Sequence, residues 1–375
     1  MRMRTLAILI ALALPIFGQR HKPPDVDAEK PDGQLLKQIM QENDAAQKTA
    51  LMEQFAQQYP KMEATTWVLE QLQTAYIKAG DPDKILAAGE KLLAADPDDT
   101  EGALQNLKAA EAKKDPALIK KWSTTTSATA RKLAATPKPT EADQQESWKN
   151  TVDYAKQVDT YSEYALYASA LTSANPKNTI DLGETLLARN PQSEYAMKVR
   201  IPLFVAYRQT NATDKAVATA EQVLAVDQSN EDMLLVVADN YLQSKKDPAK
   251  VHAYSTKVVE VMGAKAKPEG VSDADWNNRK NLVVGLAYFM DGKLSFNESK
   301  FGPADESLRK ALPLVENNPQ LKPEVLFLLG QANYKLERAQ DAANYFRACS
   351  AMKSPFQATA TKNLAAIKTQ YTGIK

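Results

Sequence analysis

One spacing recurs along this chain and limits what it can fold into. In GQANYKLERAQDAANYFRACSAMKSP, residues 330–355, Gly330, Ala342, Phe346, Cys349 and Pro355 follow one another at offsets of twelve, four, three and six. Gln73, Ile85, Gly89 and Leu92, with Pro97 after them, keep the first three offsets. So do Tyr167, Thr179, Gly183 and Leu186, followed by Pro191, and Phe204, Ala216, Ala220 and Val223. Ala238, Val251, Ser255 and Val258 fit with one extra residue in the turn. Gly285, Ala304, Leu308 and Ala311 fit if the segment DGKLSFNES carries seven inserted residues. A repeated order of small and large residues specifies which surfaces must touch, and it is read before any catalytic motif.

Each copy spans two amphipathic segments of about 12 to 15 residues divided by a polar turn such as KAGDPDK or QSKKDPAK. Such a copy is a helical hairpin. A small residue on the first helix lets the second approach, the bulkier residue four positions further on fills the groove between them, and proline stops the second helix. Aromatic residues make up only 7% of the 375-residue chain and 44% is hydrophobic, so helix formers dominate and strand-like runs are scarce. The expected fold is all-α, with antiparallel helical hairpins stacked on one another.

The pattern resembles the tetratricopeptide repeat (TPR). Leu329-Gly330, Tyr334, Ala342, Phe346, Cys349 and Pro355 carry the likeness best, with the tyrosine one place late. Val284-Gly285 and Tyr288 repeat its first half, and Leu203, Tyr207, Ala216 and Ala220 repeat it earlier. The likeness covers roughly residues 60–355 and is poor over 98–160, where the helix pairing stays open. It implies a right-handed α-solenoid whose first helices line a concave face used for proteins or peptides.

The N-terminus, MRMRTLAILIALALPIFGQRHKPPD, sets Arg2 and Arg4 before an apolar run from Leu6 to Phe17 that is too short to span a bilayer. This is the layout of a secretory signal peptide, with cleavage expected near Gly18 and no membrane insertion afterwards. The expected organisation is a signal peptide at 1–18, a flexible leader at 19–33 and TPR-like repeats at 34–263. A linker at 264–275 and further repeats with a capping helix at 276–375 complete it, with a second interruption at 135–143. The chain would then be periplasmic or secreted. With 47 basic and 46 acidic residues, its near-neutral charge gives no electrostatic reason to bind nucleic acid.

Reactive chemistry is sparse. His21 and His252 stand apart from any sequence neighbour that would complete a metal or acid–base site, and the sole cysteine, Cys349, occupies a repeat position that wants a small core residue. No phosphate loop, nucleophile elbow or paired-cysteine metal motif is present, and Asp98-Asp99 and Glu231-Asp232 sit at helix starts where the dipole favours acids. The reading is therefore a non-enzymatic exported scaffold without cofactor or metal, whose partner is a protein or peptide.

Projecting the period places Arg208, Gln209, Asp239, Gln243, Gln331, Tyr334 and Lys335 on the groove. Gly285, Ala304, Gly330, Ala342, Phe346 and Pro355 are its structural positions. The lysines and asparagines with which the family clamps chaperone C-terminal carboxylates are replaced here by Ile201, Val205 and Leu235, so that ligand is not implied. The alternative reading is a carbohydrate- or cell-wall-binding accessory whose Tyr154, Tyr161, Tyr164 and Tyr167 stack on sugars.

Overall fold

The structure is a computed structural model and describes residues 20–371. The expected signal peptide and its cleavage point lie outside the described residues. The chain divides between Asn211 and Ala212 into two compact units, and helix is the only regular secondary structure among the described residues. The N-terminal unit runs through α1 (Pro31–Gln41), α2 (Ala45–Gln58), α3 (Glu63–Ala79), α4 (Pro82–Ala95), α5 (Thr100–Lys113), α6 (Pro116–Ala134), α7 (Ala142–Thr172), α8 (Pro176–Arg189) and α9 (Ala196–Gln209). The C-terminal unit holds α10 (Thr213–Leu224), α11 (Glu231–Ser244), α12 (Pro248–Ala264), α13 (Asp273–Asn297), α14 (Phe301–Leu314), α15 (Leu321–Lys335), α16 (Ala339–Ser350) and α17 (Gln357–Gln370). Within each unit every helix packs on the next in sequence, and alternate helices touch as well, α5 on α7 and α7 on α9 in one, α11 on α13 and α13 on α15 in the other. That is the contact pattern of stacked TPR-like hairpins, in which each pair buries its apolar face on a neighbour.

One turn builds most of the hairpins. The chain leaves the first helix through a left-handed residue, at Gly80 (φ 68°), Lys114 (φ 52°), Lys245 (φ 54°), Ser299 (φ 59°) and Glu337 (φ 61°). The next amide then donates back to a carbonyl five residues earlier: Asp81 to Tyr76 (3.1 Å), Lys246 to Tyr241 (2.8 Å), Lys300 to Ser295 (2.9 Å) and Arg338 to Asn333 (2.9 Å). These bonds satisfy carbonyls that the helix end would orphan. Several second helices then begin at an Asp-Pro or Asn-Pro step. Asp81, Asp115, Asn175 and Asp247 each accept a backbone N–H of the first turn, and the proline behind each needs no donor there.

Seven residues before each left-handed position stands the buried first-helix residue of the repeat: Gln73, Leu107, Ala238, Gly292 and Gly330. This corrects the sequence register twice. Gly292, not Gly285, is the partner of Ala304. The segment DGKLSFNES is no insertion, because α13 runs unbroken over 25 residues. Gly285 is also close-packed, but its missing methyl would meet Val315 Cγ1 at 2.7 Å. The weakly patterned stretch 98–160 holds a further hairpin, α5–α6, in which Leu107, Ile119, Ser123 and Thr126 occupy the repeat positions and are all buried. Its Thr126 hid it, since that position carries leucine, valine, alanine or cysteine in the other copies.

Close approach occurs at Gly330, where the spacing predicts it, and at Gly292 in the corrected register. A Cβ on Gly330 would lie 2.6 Å from Phe346 Cε1, and one on Gly292 would lie 2.7 Å from Leu308 Cγ. Phe346 is 1% exposed in a cluster with Ala342, Cys349, Ala360 and Ile367, a burial worth about 1.5–3 kcal/mol for such a ring. Cys349 is core as expected: its Sγ donates to the Pro323 carbonyl at 3.4 Å, and burial pushes the thiol pKa up. Pro355 lies in the link from α16 to the terminal helix α17, which packs on α16.

The stretches 135–143 and 264–276 hold the breaks between α6 and α7 and between α12 and α13, each inside a unit, and the division between the units falls elsewhere, between Asn211 and Ala212. The leader is not free along its described length. Arg20 pairs with Asp96 through Nε (2.5 Å), His21 Nε2 lies 3.1 Å from the same carboxylate, and both backbone amides donate to Glu70. Partners so distant in sequence leave no local trace.

Gly330→Ala is expected to cost about 1–3 kcal/mol, because Phe346 has no room to give, read as a lower urea midpoint with an unchanged slope. Lys245→Gly should instead stabilise by about 0.5–1 kcal/mol by relieving the left-handed strain of a side-chain-bearing residue.

Candidate functional site

Five of the seven expected groove residues lie in the C-terminal unit, on the first helices α11 and α15, which are separated by α13. Gln331, Tyr334 and Lys335 converge on a single cavity of about 300 Å³. They sit within one turn of α15 because the 3.6-residue period puts positions i, i+3 and i+4 on one face. Asp239 and Gln243, one turn apart on α11, are exposed and bonded to each other, Gln243 Nε2 donating to Asp239 Oδ1 at 3.3 Å. Arg208 and Gln209 belong to α9 of the N-terminal unit; both are exposed, and the Arg208 guanidinium lies 5.8 Å from the centre of the Phe204 ring.

The cavity is amphipathic. Phe346 and Ile367, 1% and 2% exposed, make its floor, and half-buried Phe296 from α13 makes a wall. The polar side is Gln331 and Lys335 on α15 facing Asn363 on α17, with Ala366 on the rim. Tyr334, 39% exposed, ties the two helices at the edge by donating its hydroxyl to Gln370 Oε1 at 3.0 Å. Gln331, Lys335 and Asn363 have no hydrogen bond or ion pair among the described residues, and no carboxylate lines the cavity. The contribution of α17 escaped the sequence reading, which took that helix as a cap. Its one readable signal was composition: α17 carries Lys362 and Lys368 and no acid.

The tyrosine candidates are spent on packing. Tyr154 and Tyr161 on α7 donate their hydroxyls to Glu101 and Glu111 on α5, the second at 2.7 Å. Tyr164 and Tyr167 pack against Tyr195, with ring centres 5.7 and 5.4 Å apart. The same tie recurs between other helices. Tyr76 donates to Glu53 on the preceding second helix at 2.6 Å, with Lys84 pairing Glu53 and lying over the Tyr76 ring. Tyr241, Glu221 and Lys250 repeat that triad in the C-terminal unit, where the hydroxyl's bond to Glu221 helps push Tyr241 up to about 12.

The two histidines have carboxylate neighbours that sequence distance concealed. His252 Nδ1 lies 2.5 Å from Asp291 Oδ1, and Ser307 donates to the other oxygen of Asp291 at 2.6 Å. The carboxylate stands between the serine and the imidazole, so the histidine is not placed to take the serine's proton. The described residues hold no group of three side chains spaced to bind a metal ion, and none of their helices is long and apolar enough to cross a membrane.

No family model matches the sequence, and no curated protein matches it. Among solved structures, the chain is similar to the TPR domain of P58(IPK), at 12% identity over 91% of this chain and 98% of that one, with a TM-score of 0.27. It is also similar to yeast Tom70, at 15% identity over 92% of this chain and 73% of that one, with a TM-score of 0.26. The TPR-like character stands on the chain's own hairpins.

Burial raises the carboxyl of Glu111 above the usual glutamate range, the Tyr161 hydrogen bond working against it. A raised carboxyl adds stability in acid and loses it as pH climbs through its folded pKa. Glu111→Gln keeps an acceptor for Tyr161, so it should match the parent in acid and exceed it at neutral pH, measured by urea unfolding at both.

Proposed function

We propose that this protein is a non-enzymatic scaffold, exported to the cell envelope, that holds a protein or peptide on the first-helix face of its C-terminal unit. The observation that carries the reading is the cavity beside α15. There Gln331, Lys335 and Asn363 lack side-chain partners among the described residues and surround an apolar floor, which is how small recognition pockets are built: mostly apolar, with a few placed polar groups. Export is supported by Arg2, Arg4 and the apolar run behind them. The repeat suits the role physically, since a stack of hairpins presents a long row of side chains on rigid helices and leaves their polar ends free to pair with a ligand.

The reading predicts that a photo-crosslinking residue at position 331 traps a discrete envelope protein in living cells. The same residue at Gln340, exposed on the second helix α16, should trap none. Equal labelling at both positions, or none at either, sinks it. Export is checked separately by fractionating cells and sequencing the N-terminus of the mature chain, which should begin close to residue 19.

A further inference from the structure

Resting on that reading, we infer that the α15–α17 groove takes an extended acidic segment of its partner, with one bulky apolar side chain on Phe296, Phe346 and Ile367 and a neighbouring Asp or Glu side chain on Lys335. Three observations converge on this class of ligand. The cavity, about 300 Å³, lies at the small end of ligand pockets and suits one large side chain rather than a folded surface. Its walls carry two carboxamides, Gln331 on α15 and Asn363 on α17, neither engaged by another of the described residues. Each offers a donor and an acceptor, the pair that a peptide unit presents. A plain acyl chain would bury these amides without partners, at about 1–3 kcal/mol each.

The third observation is charge. Among the described residues Lys335 has no ion-pair partner, the lining has no carboxylate, and α17 carries no acid. Lys362 is exposed one turn before Ala366, which sets a second lysine on the same side of α17 as the rim. The chain as a whole is nearly neutral, so this is a local excess that selects for acidic partners and speeds their approach. Lys335 stands alone at its end of the cavity, a single ammonium that pairs one side-chain carboxylate.

Random peptides displayed on phage are selected on the full-length protein in two formats, one internal and one with a free C-terminal carboxylate. The winners are then resynthesised with both ends blocked. Enrichment of peptides pairing a bulky apolar residue with Asp or Glu is expected in both formats. Their affinity should fall at least tenfold with Lys335→Glu, fall similarly with Ala366→Trp, and return on Lys335→Glu when the peptide's acid is changed to lysine. Circular dichroism confirms that each variant is folded; Ala366 is exposed, so filling the rim there leaves the core intact.

Peptides that lose binding with Ala366→Trp but carry no acid overturn the inference and leave the scaffold reading standing. Selection only in the free-carboxylate format also overturns it, the ligand then being a chain terminus. Peptides insensitive to both variants overturn it by placing the site elsewhere. If no peptide is selected and decanoate binds instead, the groove is an acyl site and both readings fall. If nothing binds, the scaffold reading fails with the inference.

Discussion

The structure depends on how closely the two helices of a hairpin approach. At Gly330 and Gly292 the absence of a methyl group lets Phe346 and Leu308 fill the groove between helices, and dispersion contacts accumulate only where such gaps close. The position in the cavity of Gln331, Tyr334 and Lys335 follows directly, since they lie within five residues of Gly330 on the same helix. A ring that seals the hairpin at one end of its surface, Phe346, is also the floor of the cavity. Core and candidate site therefore share atoms, and α15 cannot shift without changing both.

Around that contact, polar groups do a second kind of work. Asp305, only 5% exposed, collects Asn333, Arg309 and Arg338 from α15, its own helix and the hairpin turn. The Tyr–Glu–Lys triads at Tyr76 and Tyr241 tie a first helix to the second helix before it. A buried carboxylate with only one partner would be costly, and several partners make it a clamp. Such ties specify which neighbours meet, whereas apolar packing alone would accept several registers.

How much of this was legible depends on the range over which each cause acts. The hairpins were, because a glycine and a phenylalanine sixteen residues apart record a local contact, and the Asp-Pro steps mark where second helices begin. The register at Gly285 was misread because two glycines, Gly285 and Gly292, lie on one long helix and only the turn geometry tells them apart. The α5–α6 hairpin was obscured by Thr126, a hydroxyl residue at a position that is apolar or cysteine in the other copies. For the candidate site, three α15 residues were found by period, while Phe296, Asn363 and Ile367 were not, since their convergence is set by how α13 and α17 pack on the hairpin. Histidine partners such as Asp96 and Asp291 were invisible for the same reason.

The repeated turn has a consequence for how such a chain changes over time. Its shape is held by main-chain bonds from one residue in left-handed geometry, and that residue is Gly, Lys, Ser or Glu at different hairpins. The loop thus asks almost nothing of its side chains beyond a modest conformational penalty. Those positions are free to drift, to vary in charge or to accept modification while the hairpin keeps its form, and the memory of common ancestry fades fastest where the architecture is most uniform.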